Sequence, residues 1–527
     1  MSTLTALARA QARMADVAQR VATVRHVHIG TRPMVLVPLA LAGEANAPLA
    51  ALVGDDPATP RLFVVSQPRN RDERFAFAAE LASVIVPYVE GFAATTEQVP
   101  AERGETRARS LDAPQLVLPN RAGIAFTRLL GRSTRFRRPD GDHPVDPAVP
   151  VLGRWLSFLT ERAEHPGSCL MLAATEALSL HWASGQSELE DLNLATLLAW
   201  IDPPPGVGGA AAAAVGEDPL ASPPAGPVTD PGFDNDVLAP LIDAFARTTE
   251  AARSESGASA ELGHAAVRRA RSALERALTG QLLPTWQLVW RALELLRELP
   301  AGDHVARRWE ADRDAFTGYA AYLRDGGLPQ PRRDGAVAAA RRLNWLERAQ
   351  ASFAAQRAFD DPLVMAEYRM TGEAFAGQVV AADPGRVSEG AKRRVLRPWI
   401  TVATADPVLV MPGTVVTSPA RRGQKAQVIS VTAAVAPGPV HPVMLEAGNG
   451  ASGPALVALE LSGGMGRGLV APPGSVPEPG ERVCYSTLTA DYLPIAEFPP
   501  PEQTPWTHGG PPAPYEPDDE DAAEDWS

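Results

Sequence analysis

The chain has 527 residues, 45% apolar and 21% charged, which places it among globular proteins, apart from disordered and fibrous classes, and makes it too long for one hydrophobic core. Its net charge of −13 is unevenly spread: residues 202–261 carry −8 and residues 485–527 carry −10, leaving a mildly basic remainder of +5, so overall acidity does not exclude nucleic-acid binding. Two distant cysteines, Cys169 and Cys484, exclude a disulfide scaffold and a cysteine-based zinc cluster and suit a reducing, cytoplasmic compartment.

The expected fold class is multi-domain α+β. Residues 1–25 form an amphipathic helix without the continuous apolar core of a signal peptide. Short apolar strands follow at 33–41 and 61–66, separated by Gly54, Asp55, Asp56 and Pro57, and then a helix at 71–89, giving a small α/β unit over 1–105. No stretch reaches the roughly 18 uninterrupted apolar residues of a membrane span, so no membrane partner is expected. Helical periodicity at 152–159, 168–180 and 188–200 indicates a helical block over 106–202. A Pro/Gly/Ala-rich linker is expected over 203–235.

Helices resume over 236–385, at 236–249, 258–277, 285–298 (with Pro284 in a first turn), 301–324 and 334–358, as a central array. From 386 to 498 the texture changes to short strands at 399–404, 408–411, 414–417, 427–432, 443–446, 456–461 and 482–487. These suggest a small antiparallel barrel-like domain of SH3-like or OB-like type. Residues 499–527 are Pro-rich and acidic, a composition expected to be disordered.

Lysine occurs only at Lys392 and Lys425, and the other 47 basic residues are arginine, a bias that shifts weight from arginine abundance to arginine position. Ala391 and Gln424 precede the two lysines, which excludes a P-loop. Gly390 and Gly423, two residues before them, exclude the acidic-x-Lys nuclease signature. No His-Glu-x-x-His or Gly-x-Ser-x-Gly motif occurs. The run Gly463-Gly464-Met465-Gly466-Arg467-Gly468 lacks a following helix and is read as a hairpin loop rather than a phosphate cradle.

The strongest basic constellation is Arg121, Arg128, Arg132 and Arg135, followed by Arg137 and Arg138; steps of 7, 4 and 3 put the first four on one helical face, a geometry suited to phosphate. Its alternative is a solvated helix face. A second basic region includes Arg393, Arg394, Arg421, Arg422 and Lys425 at the entry of the barrel, where Trp399 or Tyr485 could stack on bases, although a Trp at the start of a barrel strand is more simply a core residue. Asp140, Asp142, His143 and Asp146 could hold a divalent cation but are interleaved with Pro and Gly and read more simply as a polar loop. His26 and His28 are expected to be structural, Trp286 and Trp290 to be core, and Phe359 to Pro362 to be a helix cap.

These features favour a non-enzymatic scaffold or adaptor of a bacterial nucleic-acid-processing or antiviral defence assembly, with no cofactor and with catalysis supplied by a separate NTPase or helicase. The alternatives are a metal-dependent phosphoesterase or nuclease using the 140–146 cluster, and a regulatory or structural protein without a nucleic-acid role.

Overall fold

The computed structural model describes residues 2–44, 47–101, 104–254, 258–329, 335–389, 394–421, 423–433, 454–466 and 468–489. The chain is multi-domain α+β and divides into two compact units, residues 5–346 and, among the described residues that follow, 347–489, with the division inside the helix Ala336–Asp360. The strand expected at 443–446, the tail 499–527, Lys392, Arg393 and Arg422 lie outside the described residues.

The first unit is built on a five-stranded mixed sheet in the order Arg61–Val64, Pro48–Gly54, Met34–Ala40, Leu116–Leu118, Met171–Ala173. Its first two junctions are antiparallel and its last two parallel. Every residue of Met34–Ala40 and Pro48–Gly54 is buried, as in strands covered on both faces, which read as unbroken apolar runs rather than alternation. The two parallel strands lie in the stretch read as a helical block, so the sheet draws strands from both sides of residue 105. Runs as short as Leu-Val-Leu carry no period that separates strand from helix.

After Met34–Ala40 the chain turns back along the antiparallel side, whereas after Leu116–Leu118 it crosses to Met171–Ala173 on the other. The junction between these strands is therefore a topological switch point. Residues 225–229 sit at its carboxyl edge. Ala40 N–H donates to Pro227 O, Thr229 N–H donates to Ala40 O at 3.3 Å, and Asn120 Nδ2 donates to Ala225 O at 2.8 Å. The segment read as a linker therefore carries both this strap and the helix Gly209–Glu217.

Helix Arg71–Ala93 is long and apolar enough to cross a membrane, but Phe75, Phe77, Leu81, Ile85 and Val89 on it are buried in the sheet's own core. Helices Arg121–Thr134 and Ala148–Arg162 cross closely at glycines, since a Cβ on Gly153 would stand 2.5 Å from Thr134 Oγ1. The stretches expected as two helices around Pro284 form one, Ala258–Arg297. Proline there removes one backbone bond, but burial of Leu278, Leu282, Trp286, Val289 and Leu293 on the same helix keeps it continuous.

The second unit holds a closed six-stranded antiparallel barrel in the order Ala374–Asp383, Trp399–Thr404, Ala455–Ser462, Lys425–Ala433, Val415–Thr417, Arg482–Ser486. Phe375, Val402, Val428, Leu459 and Tyr485 fill its interior. Its first strand precedes residue 386, within the stretch assigned to helices. Six strands also exceed the five of an OB-like barrel. Residues 408–411 are not a strand; Leu409 N–H bonds Gly372 O and only Val410 is buried. The glycine run follows Ala455–Ser462 with Gly463, Gly464 and Gly466 at positive φ, but the strands it joins are not neighbours, so it is not a hairpin. Asp361 caps Pro362–Met370 by accepting from Leu363 N–H at 2.9 Å, as the Asp-Pro sequence predicts.

Candidate functional site

The outer face of the barrel carries a row of paired positions, Trp399–Glu460–Gln427–Val415, across four strands. Trp399, read as core or stacking platform, is 37% exposed, while Tyr485 is buried inside the barrel. Strand alternation explains the difference: Ile400 and Val402 point inward, which turns Trp399 out. The indole is held in place. Its Nε1–H donates to Glu460 Oε2 at 3.0 Å, and the Arg386 guanidinium lies 4.2 Å from the ring centroid while bonding the same carboxylate oxygen at 2.6 Å. Arg397 stands 3.8 Å from Glu460 Oε1. Partial burial alone would raise the Glu460 pKa, but the bonds from Trp399 and Arg386 outweigh it and hold the carboxylate below its usual range.

Arg394 and Lys425 are exposed on the same unit, and Arg421 is paired with Glu481 at 2.6 Å. Arg394 belongs to a two-stranded arm, Val387–Glu389 with Arg394–Leu396, joining the barrel's first two strands. Arg386 and Arg397 at its base share one backbone contact, Arg397 N–H to Arg386 O at 2.8 Å.

In the first unit Arg121, Arg128 and Arg132 are exposed on the helix Arg121–Thr134, where their spacing places them on one face. Arg135 is the residue after that helix; it, Arg137 and Arg138 lie on the following turn. Two arginines of the face already meet carboxylates, Arg121 with Glu176 at 2.6 Å and Arg128 with Glu164 at 2.7 Å. Arg135 lies over Phe136, and Arg137 over Phe75. A phosphate there competes with existing partners.

Asp140, Asp142, His143 and Asp146 are all exposed, and Asp146 Oδ1 accepts from Ala148 N–H at 2.8 Å, an ordinary turn before a helix. No group of three His, Cys, Asp or Glu side chains disposed to hold a metal occurs among the described residues. His28 stacks on Trp309 with centroids 4.0 Å apart, and burial lowers its pKa to about 4; His26 stacks on His181, whose Nε2 accepts from His26 N–H at 2.9 Å. Trp286 and Trp290 are core.

Two buried carboxylates escape sequence reading because the arginine that meets each lies 150 or 182 residues away. Asp312 accepts from Arg162 at 2.9 Å, Ser168 Oγ at 2.6 Å and Cys169 N–H at 2.6 Å. Asp191 accepts from Arg9, Ser184 and Gln186, which fastens the first helix. Both networks tie distant elements together. Cys169 beside Asp312 is a poor nucleophile, since burial pushes its thiol up to about 12. No family model, curated protein or solved structure matches the chain.

Proposed function

We propose that the chain is a non-catalytic binding subunit, an adaptor, whose barrel engages single-stranded nucleic acid while a separate protein such as a helicase or other NTPase supplies turnover. The observation that carries this reading is the exposed indole of Trp399 fixed beside Arg386. A rigid aromatic face adjoining guanidinium groups is what a stacked base and its phosphate require, and barrels commonly use such faces. Arg386, Arg397, Arg394 and Lys425 supply positive charge on that unit, with Glu460 partly compensating the first two. The sequence supports a partner for catalysis, because neither lysine stands in a phosphate-cradle context.

Fluorescence anisotropy with a labelled oligothymidine at about 50 mM salt tests this. Stacking worth about 1–3 kcal/mol per base predicts that Trp399→Ala weakens binding at least fivefold. The double variant Arg128→Gln/Arg132→Gln retains affinity if the barrel is the site. Absence of binding by the unaltered chain refutes the nucleic-acid reading, and loss in the arginine double variant alone moves the site to the helix Arg121–Thr134.

A further inference from the structure

Two side chains follow Trp399 in the outward row of the barrel, Glu460 on Ala455–Ser462 and Gln427 on Lys425–Ala433, each opposite the next in register. Neighbours in such a row stand about 4.5–5.5 Å apart at Cβ. The bond from Nε1 turns the indole toward Glu460 and away from Asp383, its paired neighbour on the other side. Arg386 covers one face of the ring, and among the described residues no other ring or guanidinium stacks on it. A base lying on the opposite face therefore carries its edge toward Glu460 and Gln427.

Both side chains offer that edge acceptors. Glu460 Oε2 is taken by Trp399 at 3.0 Å and Arg386 at 2.6 Å, whereas Oε1 has only Arg397 at 3.8 Å, beyond hydrogen-bond length, and keeps its capacity. The same two bonds keep the carboxylate ionised at neutral pH, so it cannot donate. Gln427 is exposed, and its Nε2 donates to Gly413 O at 3.2 Å. A carbonyl only accepts, which fixes the amide nitrogen on that side and leaves Oε1 for a ligand. Among the bases, guanine alone presents two adjacent donors on its Watson–Crick edge, N1–H and the 2-amino group. Adenine and cytosine set one amino donor beside a ring acceptor, and thymine sets one N–H between two carbonyl oxygens, so each turns a lone pair toward an anionic oxygen.

We propose that the barrel site selects guanine, with the base stacked on Trp399 and with Glu460 Oε1 and Gln427 Oε1 accepting from N1–H and the 2-amino group. This rests on the reading of the barrel as a single-strand site and adds the base it prefers. Arg386 and Arg397 offset the charge of Glu460, which lets a carboxylate stand beside a phosphate backbone.

Fluorescence anisotropy of the full chain at about 50 mM salt tests the assignment, with labelled oligothymidines that differ only at one central nucleotide. A central dG is expected to tighten binding about fivefold or more over dT, dA or dC, the discrimination a two-bond base contact supplies. Deoxyinosine, which keeps N1–H and lacks the 2-amino group, forfeits most of that gain. Glu460→Gln and Gln427→Ala each bring the ratio of dG to dT affinities close to one. Gln427→Ala leaves Trp399 and its bonds in place and so retains the affinity for plain oligothymidine, which loss of a merely structural side chain would lower. Equal affinity whatever the central base, the full gain with deoxyinosine, or a preference undiminished in both variants overturns guanine selection and leaves the barrel a strand-binding site. Absence of binding to every oligonucleotide instead refutes the single-strand reading, and this proposal with it.

Discussion

The two half-buried histidines of the first unit make its stability depend on pH between neutrality and pH 5. His28 lies on Trp309 and His165 near Trp345, with ring centroids 4.0 and 4.3 Å apart, and each pKa is lowered to about 4, first by burial and then by nearby arginines. The unfolded chain binds these protons near pH 6.5, and the folded chain only near 4. Stability is therefore complete above the unfolded value and is lost as pH falls through the interval between them. Going from pH 7 to pH 5 costs about 2 kcal/mol per histidine in the full-shift limit, and about 1 kcal/mol each after allowing for solvent screening at these partly exposed rings. Replacing both with Phe keeps the aromatic contacts and removes the titration. Urea unfolding followed by circular dichroism at pH 7 and pH 5 measures the difference. The wild type should lose about 2 kcal/mol more than the double variant, and equal losses in the two proteins would refute the assignment of this pH dependence to His28 and His165.

Asp312→Ala leaves the Arg162 guanidinium and Cys169 N–H without their shared acceptor and should cost about 3–5 kcal/mol, read from the urea midpoint of the first unit. Gly153→Ala drives a methyl group into Thr134 at the crossing of two helices and should cost about 1–3 kcal/mol in the same assay. Native protein should react slowly with a thiol-specific disulfide reagent at pH 8, because burial pushes Cys169 up to about 12 and Cys484 up to about 11; rapid labelling of either shows that its surroundings open. Trp399→Ala should leave the melting temperature nearly unchanged while weakening oligothymidine binding, since the indole is on the outside of the barrel.

Local signals in the sequence marked the elements whose formation is itself local. The apolar runs at Met34–Ala40 and Trp399–Thr404, the Asp361-Pro362 cap and the four-residue spacing of Trp286 and Trp290 each carry a periodic or capping signature, and each forms the expected structure. The strands Leu116–Leu118 and Met171–Ala173 do not, because three residues have no measurable period and become strands only by pairing with Met34–Ala40 and with each other. The same holds for function. Helical spacing located the arginine face of Arg121–Thr134, but its ion pairs with Glu164 and Glu176 came from residues 36 to 55 positions away. Trp399 was visible as an aromatic at a barrel strand, yet only the inward turn of Ile400 and Val402 decided that the indole faces outward, where Arg386 and Glu460 hold it. Likewise Leu41 and Pro68 line one cleft with residues 234–243, an approach of segments some 170 to 200 residues apart that sequence spacing cannot express and that packing of the sheet's carboxyl edge brings about.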